Sequence, residues 1–137
     1  MRYALFDKQK DELILLARVL LMILFVLFGF HKLTGFSGTV GYMASLGNPA
    51  PTLAAIIAVV FEFFFGIAII VGFYTRPIAF LLALYTLATA MIGHQFWKQT
   101  GMAAMGNEIN FFKNVAIMGG LFLLAVTGPG KYSIDRK

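Results

Sequence analysis

Leu13–Phe30 reads LILLARVLLMILFVLFGF, apolar throughout except for Arg18. As a helix its roughly 18 residues span about 27 Å at 1.5 Å per residue, close to the hydrocarbon thickness of a bilayer. The run is therefore long enough to cross a membrane, and the rest of the chain agrees with it. Of 137 residues, 60% are hydrophobic and 12% charged, with a mean hydropathy of +0.84. A soluble domain is about 45–50% apolar and about 25% charged. A soluble domain of this size buries only part of such an excess, and the remainder would form aggregating patches unless lipid covered it. The expectation is one domain completed by the bilayer, neither a soluble enzyme nor a nucleic-acid-binding module.

The first run is not expected to be a cleaved signal peptide. It is longer than the usual apolar segment of such peptides, no convincing small-x-small site follows, and three more apolar runs come after it. Residues 1–12, with Arg2, Asp7, Lys8, Lys10, Asp11 and Glu12, form a mixed-charge N-terminal tail. Gly35–Pro51, rich in Gly, Ser, Thr, Asn and Pro, reads as an extramembrane loop and a plausible lid. Within it Ser37 is a candidate N-cap for a short helix ending near Gly47.

A second span is expected over about 52–73, opened by Pro51 and interrupted by Glu62. Tyr74, Thr75 and Arg76 turn the chain into a third span over about 77–96, whose Pro77 is tolerated in a first helical turn. Trp97 to Asn110, with Lys98, Gly101, Gly106, Asn107 and Glu108, reads as a second long loop. The fourth span is placed at about 111–126, and Gly128, Pro129 and Gly130 break it before a tail over 128–137. The transmembrane domain thus covers 13–127.

Orientation follows from positive charge, which is retained on the cytoplasmic side. The tails and middle turn carry Arg2, Lys8, Lys10, Arg76, Lys131, Arg136 and Lys137, whereas the long loops carry Lys32, Lys98 and Lys113. The fold expected is all-α, an integral membrane four-helix bundle running up-down-up-down with both termini cytoplasmic.

Arg18 and Glu62 lie inside apolar spans, where an isolated charge costs at least about 2.5–3.5 kcal/mol. With the spans aligned as above, their depths differ by under about 10 Å, so an Arg18–Glu62 ion pair inside the bundle is expected. Arg18, Met22, Phe25, Gly29 and Lys32 recur at helical intervals and form one stripe, and Ala55, Ala58, Glu62, Gly66 and Ile69 form another. The small residues of the second stripe permit close helix approach. Such a pair can mark a ligand or proton site, or can simply lock two helices.

His94 follows Ala83, Leu87 and Ala90 on one stripe of the third span, and His31 ends the first. Both belong to the surface that carries Lys32, Lys98, Glu108, Lys113 and Asn114. That surface reads either as an interfacial polar belt anchored by Trp97 or as a polar mouth leading down to Glu62. No carboxylate or second histidine stands at ligand spacing beside either histidine, so no metal or haem site is expected. There is no cysteine, which excludes thiolate catalysis, disulfides and iron–sulfur ligation by this chain alone. Walker, Rossmann, HExxH and nucleophile-elbow motifs are absent too.

Arg18 followed by Gly29-Phe30-His31-Lys32-Leu33, then Glu62, Gly66, Gly72-Phe73-Tyr74-Thr75-Arg76-Pro77 and Thr127-Gly128-Pro129-Gly130, resembles the DoxX family of small bacterial inner-membrane proteins. The resemblance covers nearly all the chain beyond the first dozen residues. It implies a four-span bundle in the inner membrane and an association with electron transfer to quinone or with oxidative and thiol stress. The matching positions are Arg18, Lys32, Glu62 and Arg76, joined by His94 and Asn114. Without cysteine the chain has no thiol pair of its own to relay electrons.

The expected ligand-binding set is Arg18, Lys32, Glu62, His94 and Asn114, lining a cavity for a quinone or similar small hydrophobic molecule. No covalently bound cofactor is expected. Two other functions compete, a small proton-coupled transporter or channel using Glu62, and a non-catalytic accessory or assembly subunit. The partners expected are membrane lipid, a redox partner protein and a second copy in a homodimer.

Overall fold

A computed structural model describes residues 5–136, and among them every regular element is helical. Arg2 and Lys137, counted above for orientation, lie outside the described residues. A short 3-10 turn, Asp7–Gln9, leads into α1, Lys10–Thr34. After it come α2, Phe36–Ser45, and α3, Pro51–Val59. A π-helical turn, Val60–Phe64, joins α3 to α4, Phe65–Val71. α5 is Thr75–Gly93, and α6 is Gly101–Thr127. Four helical stretches, Asp7–Thr34, Pro51–Val71, Thr75–Lys98 and Gly101–Thr127, are long and apolar enough to cross a membrane.

The last span differs from the expectation in one respect. Gly101–Asn110, read as loop, belongs to α6. Gly106 and Asn107 suggested a break, but Met102, Ala103, Ala104, Met105 and Glu108 are good helix formers and outweigh one interior glycine, which costs about 1 kcal/mol. α6 therefore begins well before its apolar part. The short helix expected in the first loop is present as α2, but it starts at Phe36 with Gly35 as its N-cap, so Ser37 lies within the first turn and does not cap it.

Packing follows the two stripes. Arg18, Met22, Phe25 and Gly29 are the buried residues of α1, and Ala55, Ala58, Glu62, Gly66 and Ile69 are buried on the second span. α1 lies along the second span, α5 along α6, and the two pairs meet where α4 and the π turn touch α5. The core between them is Met22, Phe25, Ile69, Ala79, Leu82, Ala83, Leu121 and Leu124. α3 makes no close approach to α5, and α1 touches α6 only briefly.

Two glycines set this geometry. A Cβ on Gly29 would lie 2.5 Å from the backbone nitrogen of Phe63 and 2.8 Å from the carbonyl carbon of Glu62, so only glycine lets α1 seat against the π turn. Gly72 ends α4 in the left-handed region at φ 74°, and a Cβ there would collide with Ser133 and with the Arg18 guanidinium.

That second collision marks an end closure. Ile134 and Asp135 donate backbone N–H groups to the carbonyls of Val71 and Gly72, at 3.0 and 2.9 Å. The Asp135 carboxylate accepts the backbone N–H groups of Tyr74 and Thr75 at 3.1 and 3.0 Å, capping α5 from the far end of the chain. Lys131 donates its backbone N–H to Asp11 at 3.0 Å. Arg76 donates to the carbonyls of Ala125, Val126 and Thr127, which are left open at the end of α6. The stretch read as a basic tail is a strap joining α1, α4 and α5.

Candidate functional site

Glu62 sits in the π turn, 7% exposed. Its neighbours decide what it does. Lys32 donates to Oε1 at 2.7 Å and to Oε2 at 2.5 Å, and the Tyr85 hydroxyl donates to Oε1 at 2.8 Å. The carboxylate is thus held by an ammonium from α1 and a phenol from α5, which compensates its removal from water. The Tyr85 ring stacks on Phe61, with centroids 4.9 Å apart, so both rings are fixed.

The expected Arg18–Glu62 pair does not form. α1 meets Glu62 and Phe63 at Gly29, and Arg18 lies about three helical turns away, about 16 Å at 1.5 Å per residue. That gap is beyond the reach of its side chain. Arg18 is fully buried at the level of Gly72, where it donates to the Tyr132 carbonyl, while its Nε and Nη1 have no hydrogen-bond partner among the described residues. Counting depth from the ends of the apolar runs placed Arg18 too deep, because the strap extends the bundle below Phe73. The partner of Glu62 is Lys32, the residue that closes the stripe on α1.

Lys32, Glu62 and Tyr85 form a polar cluster in a cavity of about 480 Å³. Its walls are largely apolar, with Leu24, Phe25 and Phe28 from α1, Ala54, Ile57 and Ala58 from α3, and Ala88 and Ile92 from α5. α2 contributes Tyr42 and Met43, and Leu46 follows at its C-cap. The loop expected to be a lid therefore borders the cavity through its helix. Asn48, Thr89, Gly93, His94, Lys113 and Asn114 complete the lining.

Four of the five expected ligand-binding residues, Lys32, Glu62, His94 and Asn114, line this one cavity. Arg18 instead borders a groove of about 500 Å³ between α1 and α6. His94 lies with Nδ1 3.2 Å from Asn107 Oδ1, and Asn107 in turn donates to Gln99. Asn114 donates to the Thr89 hydroxyl at 3.4 Å. His31 is outside the cavity, packed against Phe28 and Phe30. Trp97 sits in an aromatic cluster with Phe96 and Phe111.

Tyr85 escaped the reading of the sequence. Its signal was available, since it is the one tyrosine within the third span and a phenol at membrane depth needs a hydrogen-bond partner. The π turn left no such signal. Val60–Phe64 contains neither Gly nor Pro, and its aromatic run gives no hint of a wider turn.

A family model described as DoxX matches residues 13–95. The chain belongs to the DoxX family. This DoxX protein is 54% identical over its full length to the inner membrane protein YphA of Escherichia coli (strain K12), covering 98% of that protein. It is 44% identical to the inner membrane protein YqjF of the same organism, over 94% of each chain. A partial likeness, 32% identity over 50% of this chain, extends to 24% of a Surfeit locus protein 4 homolog of Schizosaccharomyces pombe. No solved structure matches it. With its four membrane-spanning helices, the DoxX chain is a multi-pass inner-membrane protein.

The residues on which the resemblance was read divide between the two ends of the bundle. Lys32 and Glu62 line the cavity and Gly29 seats α1 beside them, whereas Arg18, Gly72, Arg76 and Gly128 lie at the end closure.

Proposed function

We propose that this DoxX protein binds a small hydrophobic molecule with a polar head, of the quinone class, in the cavity above Glu62, and that its role is redox-associated. The observation that carries the reading is the Lys32–Glu62–Tyr85 cluster at the polar end of an apolar cavity large enough for such a molecule. An ammonium has three donors, of which Glu62 occupies at most two. The remaining donor of Lys32 suits the carbonyl oxygen of a quinone head, and the Tyr85 hydroxyl, whose one proton goes to Glu62, has lone pairs that suit the hydroxyl of a reduced head. Glu62 holds both groups in place. The amide of Asn114, 9% exposed and lining the cavity, offers a further donor and acceptor to the same head. Phe25, Phe28 and the aliphatic residues of α3 and α5 suit the ring edge and tail.

The test is chemical. Protein purified in mild detergent with its lipids is extracted with organic solvent, and quinone is quantified against protein. Stoichiometric quinone is the expected result, and a quinone-free extract from lipid-retaining protein overturns the reading. Tyr85→Phe leaves the Glu62 carboxylate held by Lys32 alone and is expected to weaken decylubiquinone binding by about five- to tenfold, from a loss of about 1 kcal/mol.

We read the spans as alternating up and down with both termini in the cytoplasm. Lys8, Lys10, Arg76, Lys131 and Arg136 gather around the closed end, in keeping with the retention of positive charge on that side. A transport reading has less support, because Met22, Ile69, Leu82 and Leu121, all fully buried, fill the bundle between Glu62 and the closed end.

A further inference from the structure

The lining of the cavity has two stretches of opposite character. One is the polar mouth formed by Asn48, His94 and Lys113. The other lies between α3 and α5. These helices make no close approach, and the residues facing the gap, Ala54 and Ala58 on one side and Ala88 on the other, are too small to fill it. Ile57 and Ile92 line the cavity and are also 42% and 53% exposed, so each borders the interior and the outer surface at once. Their outward neighbours Leu53, Ile56 and Leu84 are exposed on membrane-spanning helices, where the surrounding medium is hydrocarbon. The gap is therefore an apolar slit with lipid at its outer edge and Lys32, Glu62 and Tyr85 at its inner end.

We infer that the cavity is loaded sideways from the bilayer, through the slit between α3 and α5, and that its ligand is a membrane-dissolved amphiphile. Its head meets Lys32 and Tyr85 while its tail stays between Ala54, Ile57, Ala88 and Ile92, pointing into lipid. This rests on the reading of the cavity as a binding site and adds the route and the need for a tail. A water-soluble substrate gains no hydrogen bond from the slit walls, whereas an acyl or isoprenoid tail finds the same surroundings there as in the membrane. The gap between α1 and α6 suits a tail less well, because Lys113 and Asn114 line the cavity there.

The chain has no cysteine, so Ala54→Cys with Ala88→Cys provides a unique thiol pair across the slit. The full-length double variant is reconstituted in lipid nanodiscs, with or without bridging by a flexible bis-maleimide. Binding of decylubiquinone and of the same quinone ring without a tail is followed by stopped-flow quenching of Trp97 fluorescence. Bridging is expected to slow decylubiquinone association about tenfold or more and to leave the tailless ring unchanged. Equal decylubiquinone rates with and without the bridge overturn the inference, as does equal slowing of both quinones. If neither quinone binds the unbridged, monodisperse protein, the binding reading itself fails and the inference falls with it. A nitroxide on Ala88→Cys alone reports the medium of the slit without any ligand. Collisions dominated by dissolved oxygen are expected, and collisions dominated by a water-soluble nickel chelate overturn the sideways route.

Discussion

Lys32 and Glu62 show how a charge at membrane depth is made tolerable. Glu62 is almost enclosed, but both of its oxygens are engaged, and the Lys32 side chain keeps 30% exposure toward the cavity. Replacing Lys32 by Met leaves a nearly buried carboxylate with only Tyr85. The expected loss is about 1–3 kcal/mol, below the range for a fully enclosed pair because water still reaches the site of the ammonium. The double variant Lys32→Met with Glu62→Leu should recover most of it, since removing both charges is far less costly than removing one. Thermal unfolding in one detergent across the three proteins checks both statements, and a double variant no more stable than Lys32→Met contradicts them. Gly29 sets the distance across which this pair forms. Gly29→Ala should destabilise by about 1–3 kcal/mol, because the added methyl meets Phe63 backbone at 2.5 Å and the helices must part. The same separation should lengthen the Lys32–Glu62 contact, so quinone affinity is expected to fall together with the melting temperature.

At the scale of elements, the π turn and the strap do the positioning. A π turn inserts one residue into a helix and opens its hydrogen-bond ladder, a feature often found at functional sites. Here Val60–Phe64 carries Glu62 to the cavity while leaving Gly66 and Ile69 facing the core. The strap works through Asp135, whose carboxylate receives the first free N–H groups of α5. Asp135→Ala should cost about 1 kcal/mol, the usual worth of an N-cap, and Asp135→Asn less, since the amide keeps one acceptor oxygen. Amide hydrogen exchange provides the check. Faster exchange should be confined to the first turn of α5 and to Ile134 and Asp135, and uniform acceleration throughout the bundle would contradict a local cap.

At the scale of the whole molecule, the bundle is sealed at one end and open at the other. The strap and the carbonyls capped by Arg76 close the end that gathers most of the Lys and Arg, while the cavity opens at the end of Lys32 and His94. If the closed end is cytoplasmic, a cysteine placed at Arg136 should stay unlabelled by an impermeant maleimide in intact spheroplasts and react after lysis; reaction before lysis reverses the orientation. The sequence alone determined the solvent, the helical class and the inward faces of α1 and of the second span. Each of these depends on composition or on the repeat of a single helix, and hydrocarbon leaves few structures able to satisfy a backbone. Which charges would meet was not legible in the same way. That choice depends on register between helices, which here follows from a glycine contact at Gly29, a π turn without a sequence signal, and a strap from the far end of the chain. Only the tertiary structure could assign Glu62 to Lys32 and Tyr85 and Arg18 to the strap, because a helical repeat fixes which way a side chain faces and leaves open how far one helix slides along the next.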